Sequence, residues 1–122
     1  MGNFEQLLVW HESRRLVVDV YRITRAFPSE EKFALAQQLR RAAVSIVSNI
    51  AEGSGRGRRN EFLAFIRIAR GSANELASQL HVAADLGLVE PASCESVTAR
   101  ANEVGRMLSG MLRMDPRKPN RG

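Results

Sequence analysis

Apolar positions along this chain recur at intervals of three and four, and glycine and proline divide that pattern into four helical segments. The first runs from about Leu8 to Ala26 and stops before Phe27-Pro28, because proline disfavours helical geometry in the residue before it. At ~100° per residue, Val9, Leu16, Val17, Val20, Tyr21 and Ile23 gather on one side, with Arg14, Arg15, Arg22 and Arg25 opposite. Ser29 is the predicted N-cap of the second helix, and Glu30 and Glu31 in its first turn complement the helix dipole. Its core stripe is Leu35, Leu39, Ala42, Ile46 and Ile50, and a shallower apolar strip of Phe33, Val44, Val47 and Ala51 continues around the cylinder. A bundle helix needs a stripe of only ~100°, whereas this arc is nearer ~200° at ~100° per residue. The surplus predicts that helix two also meets another subunit.

Gly53-Ser54-Gly55-Arg56-Gly57 predicts the end of that helix, since three glycines in five residues are costly inside one. The third helix is expected from Arg58–Asn60 to Leu86, with Gly87 as its stop. Phe62, Phe65, Ala69, Leu76, Leu80 and Ala83 follow the heptad-like spacing of a left-handed bundle seam. Pro91 suits the first turn of a fourth helix, whose core face is Val97, Ala101, Val104, Leu108, Met111 and Leu112. Asp115-Pro116 closes it. No segment reads convincingly as a strand. The expected fold is all-α, an up-down-up-down antiparallel four-helix bundle over residues 1–115, followed by a disordered basic tail over 116–122.

Gln38, Arg41, Ser45, Asn49 and Glu52 form a polar stripe on helix two, beside its apolar face. On helix three, Ser72, Glu75 and Gln79 border the apolar seam at matching spacing. Across antiparallel neighbours these stripes can face each other, with Arg40 or Arg41 pairing with Glu75, and Asn49 with Ser72 or Glu52. Such pairing satisfies groups that are costly to bury alone. The stripe therefore reads as a structural network fixing helix register or a subunit interface. The chemical alternative uses Glu52 and Glu75 as paired carboxylates, but no histidine, cysteine or aspartate accompanies them at a useful spacing.

The sequence QLRRAAVSIVSNIAEG (Gln38–Gly53), then EFLAFIRIARGSANEL (Glu61–Leu76), preceded by Leu8-Val9-Trp10 and Phe27-Pro28, resembles the bacterial four-helix-bundle family first noticed as reading frames inside intervening sequences of 23S ribosomal RNA genes. The resemblance covers roughly Phe4 to Leu112. It implies a homopentamer of small bundles, and kinship with the accessory protein of diversity-generating retroelements, a basic pentamer that works with a reverse transcriptase and nucleic acid. This chain departs from the family pattern at several positions. Val47 stands where proline is common, Ala34 where glycine is, Ala36 where threonine is, and Ala77 where an acid is. The first three predict a straighter, stiffer second helix.

Charge adds a partner class. Lysine and arginine outnumber acids 18 to 13, a net charge of +5, which leans towards an anionic partner. Arg14, Arg15, Arg22 and Arg25 on helix one, and Arg56, Arg58 and Arg59 in the glycine-rich loop, are the candidate phosphate contacts, joined by Arg117, Lys118 and Arg121 in the tail. Glu12, Asp19 and Glu61 partly neutralise them. With no aromatic interleaving, the expected binding to RNA or DNA is non-specific and salt-sensitive. The alternative is a solvated basic surface, or one that meets an acidic partner protein without nucleic acid.

Other chemistries have little support. GSGRGRR lacks the GK[ST] of a P-loop and follows a helix rather than a strand. His11 and His81 are isolated from ligands at zinc spacing, so no metal and no cofactor is expected. A single cysteine, Cys94, excludes an intramolecular disulfide. Trp10 reads as a packing anchor. Without a signal-peptide pattern or an apolar run near the ~18–20 residues of a membrane span, the expected location is cytoplasmic. The whole reads as a non-enzymatic accessory or scaffold protein.

Overall fold

In the computed structural model, residues 3–32 and 34–114 are described. Phe33 of the second apolar strip and the tail over 116–122 lie outside them. A 3-10 turn, Phe4–Gln6, leads into α1 (Leu8–Thr24); α2 (Ser29–Lys32) is a single short turn; α3 (Leu35–Ser54), α4 (Arg59–Asp85) and α5 (Pro91–Arg113) complete the chain. No strand occurs among the described residues.

The four long helices form a square. α3 packs most extensively on α4, then α4 on α5, and α1 closes the ring against α3 and α5. Neighbours run antiparallel, because contacts climb one helix as they descend the next. Near the α3–α4 turn Gly53 meets Phe62 and Phe65, whereas farther along Ser45 meets Ser72. Likewise Cys94 Sγ donates to the Leu80 carbonyl at 3.3 Å, and deeper in the same pair Gly105 lies beside Ala73. The core joins Leu16 and Val20 of α1, Leu39, Ile46 and Ile50 of α3, Leu63, Ile66, Leu76 and Leu80 of α4, and Val104 and Leu108 of α5.

The polar partners inside this core are satisfied locally. Ser13 and Thr24 are buried on α1, and each hydroxyl donates at 2.7 Å to the carbonyl four residues back. At the α4 end, Gly87 (φ +71°) and Leu88 donate their backbone N–H to Ala84 and Ala83, at 3.0 Å each. This Schellman closure turns the chain towards α5 and needs glycine at its left-handed position. Pro91 occupies the first turn of α5.

Two expectations are corrected, and one is refined. Helix two is not continuous from Ser29: it breaks between α2 and α3, with Ala34 outside helical geometry at φ −120°, ψ −98°. Ser29-Glu30-Glu31-Lys32 has no apolar stripe to hold it in line with the bundle, so the predicted stiffening applies only to the unbroken stretch containing Ala36 and Val47. The glycine-rich segment ends the helix as expected, at Ser54 with Gly55 as its C-cap, but Gly53 has a further role in the last turn. A Cβ there would stand 2.7 Å from Phe65 Cβ and 3.1 Å from the Phe62 carbonyl, so glycine is what lets α3 and α4 converge. Gly57, at φ +76°, makes the turn itself. Tyr21 sits on the rim rather than in the core, beneath the Arg40 guanidinium at 4.5 Å.

Glycine in a helix interior is about 1 kcal/mol less favourable than alanine. Gly53→Ala should nonetheless destabilise the bundle by about 1–3 kcal/mol through overpacking. Gly71→Ala, where nothing lies within 4 Å, should stabilise it by about 0.5–1 kcal/mol. Urea unfolding of both variants tests the pair, and a neutral or stabilising Gly53→Ala would refute the close-approach argument.

Candidate functional site

Helix α3 presents two different sides to its neighbours. Towards α4 it carries the middle of the polar stripe, Ser45 and Asn49. The Asn49 amide donates to the Ser45 carbonyl at 2.8 Å and to Ser45 Oγ at 3.1 Å, and the Ser45 hydroxyl shares a hydrogen bond with Ser72 Oγ, 2.8 Å away on α4. Ser72 is buried and Ser45 and Asn49 are half-buried, so these bonds replace water and fix the register of the two helices. The ends of the stripe behave otherwise. Gln38, Arg41, Glu52 and Glu75 are exposed. Glu52 pairs with Arg56 at 2.9 Å, and Glu75 accepts from Gln79 Nε2 at 3.3 Å. Arg41 has no ion-pair partner among the described residues.

Arg40 turns away from Glu75 towards α1. Its Nε donates to Thr24 Oγ1 at 2.7 Å, while the Thr24 hydroxyl donates onward to the Val20 carbonyl. Sequence reasoning missed this tie. Its signal was Thr24 in phase with Val17 and Val20 on the apolar side of helix one, a hydroxyl that burial obliges to find partners.

The two candidate carboxylates cannot cooperate within one chain. Measured from the Ser45–Ser72 level, Glu52 lies seven residues towards the α3–α4 turn and Glu75 three residues away from it. At 1.5 Å per residue that separates them by about 15 Å along the bundle, beyond the ~5–9.5 Å of carboxylate pairs that share a reaction, as in glycoside hydrolysis. Among the described residues no group of three or more His, Cys, Asp and Glu side chains comes together to hold a metal ion. His11 donates from Nε2 to the Glu5 carbonyl at 2.8 Å. Trp10 packs edge-on against Phe4 and His11, and its buried indole N–H has no acceptor among the described residues.

The sequence-selected arginines divide by their surroundings. Arg15 pairs with Glu12, Arg22 with Asp19 at 3.5 Å, and Arg58 with Glu61 at 3.7 Å. Arg56 lies between Glu52 and Glu61 and over the Phe65 ring at 4.9 Å. Arg59 donates to the Met114 carbonyl at 3.1 Å, closing the C-terminal end of α5. Arg14 rests over Trp10 at 4.8 Å, and Arg25 is exposed; neither has a carboxylate partner among the described residues. Asp19 serves twice, since Arg100 also reaches it at 2.6 Å and ties α5 to α1.

The family model for the 23S rRNA-intervening sequence protein matches residues 5–110. The chain belongs to that family. The matched span includes the whole Ser45–Asn49–Ser72 network and all four long helices, save the last residues of α5. A crystal structure from Bacteroides thetaiotaomicron, described as a protein of unknown function from the S23 ribosomal protein family, is similar with a TM-score of 0.78 and 22% identity. The similarity covers 86% of this chain and 98% of that one. At that identity the likeness shows the fold. A comparison with curated proteins finds no match.

If the seam is a register lock of this family's fold, Ser45→Ala and Ser72→Ala should each cost about 1 kcal/mol. The double variant should cost less than their sum, with a coupling of at least ~0.5 kcal/mol. Chemical denaturation of the four proteins in that cycle measures the coupling, and strict additivity would show that the two hydroxyls do not act together.

Proposed function

We propose that this chain is a non-enzymatic, cytoplasmic accessory or scaffold protein that works as a homo-oligomer. The family resemblance suggests a pentamer, which would hold RNA or DNA without sequence preference on arginine-rich surfaces. The observation that carries self-association is the apolar strip left bare when the bundle closes. Val44 on α3 is 40% exposed and Val18 on α1 is 54% exposed; Tyr21, Val47 and Ala51 lie on the same α1–α3 side, partly or fully open. Covering a valine side chain is worth about 1.5 kcal/mol or more, and a ring of identical contacts repeats that gain at every subunit. Among the described residues, no helix is long and apolar enough to cross a membrane.

Arg14, Arg25 and Arg41 flank the strip without carboxylate partners among the described residues, which supports an anionic partner. Repetition around a ring multiplies weak contacts into useful avidity. The same apolar-and-basic face also favours a second reading, recruitment of an acidic protein partner without nucleic acid.

Light scattering tests the assembly. Wild-type protein should weigh about five times the 13.6 kDa chain, and Val44→Asp should collapse it towards the monomer; a monomeric wild type would remove the proposal of self-association. Gel mobility of labelled RNA and duplex DNA tests the partner. Affinity should fall at least ~10-fold between about 50 and 200 mM salt. Unchanged mobility at low salt with micromolar protein would leave the acidic-protein reading.

A further inference from the structure

A further basic concavity lies apart from the arginines selected from the sequence. Between α4 and α5 runs an open groove of about 620 Å³ lined by Arg70, Asn74, Asn102, Arg106, Ser109 and Arg113, with Ala101 and Gly105 along its floor. We propose that this groove is a binding site for a run of phosphates, engaging phosphate oxygens and not bases.

Three observations carry the proposal. Every polar side chain in the lining can donate a hydrogen bond, three of them are guanidinium groups, and none is a carboxylate. Guanidinium forks match phosphate oxygens, and amide and hydroxyl donors complete the set. Glu103, outside the lining, grips Arg106 through Nε at 3.1 Å and Nη2 at 2.7 Å and so restrains that guanidinium. The local charge stays positive.

The second observation is the floor. Gly105 is helical, yet glycine in a helix interior is a destabilising choice relative to alanine. Packing does not demand it, since a Cβ there would meet only Ala73 Cβ at 3.9 Å, an ordinary contact. What glycine provides at this position is the open groove itself. The third is size and lining. Arg106 and Arg113 are two turns apart, about 10 Å along α5, which exceeds one phosphate. No aromatic ring lines the groove, so there is no platform on which a base could stack. The site therefore recognises backbone charge without sequence preference.

Two sources offer this chemistry, a nucleic-acid backbone and a free polyphosphate chain. The groove's phosphate affinity stands on its own geometry; only the assignment of RNA as its occupant rests on the nucleic-acid reading above. Full-length protein should be titrated with a fluorescein-labelled single-stranded RNA and, separately, with inorganic tripolyphosphate by calorimetry, both at low salt. Arg70→Gln/Arg113→Gln removes two groove charges, and Gly105→Leu fills the groove while leaving charge unchanged. Arg14→Gln/Arg25→Gln removes the same charge from α1, which lends nothing to the lining. Thermal unfolding checks that each variant is folded.

The expected result is at least a 10-fold loss of RNA and tripolyphosphate affinity in both groove variants, and a smaller loss of each in the α1 variant. Tripolyphosphate should also displace the RNA. Groove-dependent binding of tripolyphosphate with no RNA binding would uphold the site and reject RNA as its occupant. RNA binding lost in the α1 variant but intact in folded groove variants would overturn the groove while sparing the nucleic-acid reading. Wild-type protein that binds neither probe would overturn both.

Discussion

The close approach of α3 to α4 at Gly53 is the constraint from which the rest of the bundle follows. With no Cβ at that position, the Phe62 carbonyl and the Phe65 side chain come against the α3 backbone. The two helices then lie close enough for Ser45 and Ser72 to touch, two turns farther on. Their shared core, Leu39, Ile46 and Ile50 against Leu63, Ile66 and Leu76, is excluded from solvent almost completely. A hydroxyl pair at the margin of that core costs little when bonded and a good deal when displaced, so it penalises any slip in register. Hydrophobic burial holds the helices together, and the glycine and the two serines decide how they meet.

Of the outer helices, α1 attaches through fewer contacts, several of them polar. α1 is joined to α3 by the Arg40–Thr24 bond and the stacking of Arg40 on Tyr21. It is joined to α5 by the partly buried Asp19–Arg100 pair. Many of the remaining arginines are engaged by acids of their own helix or loop. A net charge of +5 is therefore a poor guide to where an anion would be held. Geometry matters more than count: the α4–α5 groove collects three guanidinium groups and no carboxylate in its lining, whereas on α1 Arg15 and Arg22 are each held by an acid of their own helix.

Much of the fold was legible because the physics that builds it is periodic. The core stripes of Val97–Leu112 and of Leu35–Ile50, and the stop at Gly87, can be read from spacing and turn chemistry. The break before Leu35 was missed because a strong N-cap and two acids promise a helix, while the absence of an apolar stripe over those residues denies it anything to pack on. The role of Gly53 was missed for a related reason. In sequence it is one glycine of three; only the approach of Phe65 separates a glycine that ends a helix from one that admits a neighbour. Of the polar stripe, spacing placed Ser45 and Ser72 on the facing helices, but it paired Asn49 with Ser72 or Glu52, whereas Asn49 bonds to Ser45 on its own helix. Nor could it tell that Arg40 would turn to Thr24. Long side chains choose among several neighbours. The α4–α5 groove was invisible for the same reason, since Arg70 and Arg106 are distant in sequence and belong to different helices.

On this account α3 and α4 form a spine to which α1 and α5 are attached, and function is carried on the faces the spine leaves open. Residue-resolved amide hydrogen exchange of the whole chain tests that claim most directly. The slowest amides should lie in Ala42–Ile50 of α3 and Ile66–Ala73 of α4, exchanging only through global unfolding, with α1 and α5 opening earlier. Amides of α1 or α5 that outlast those of α3 and α4 would contradict it.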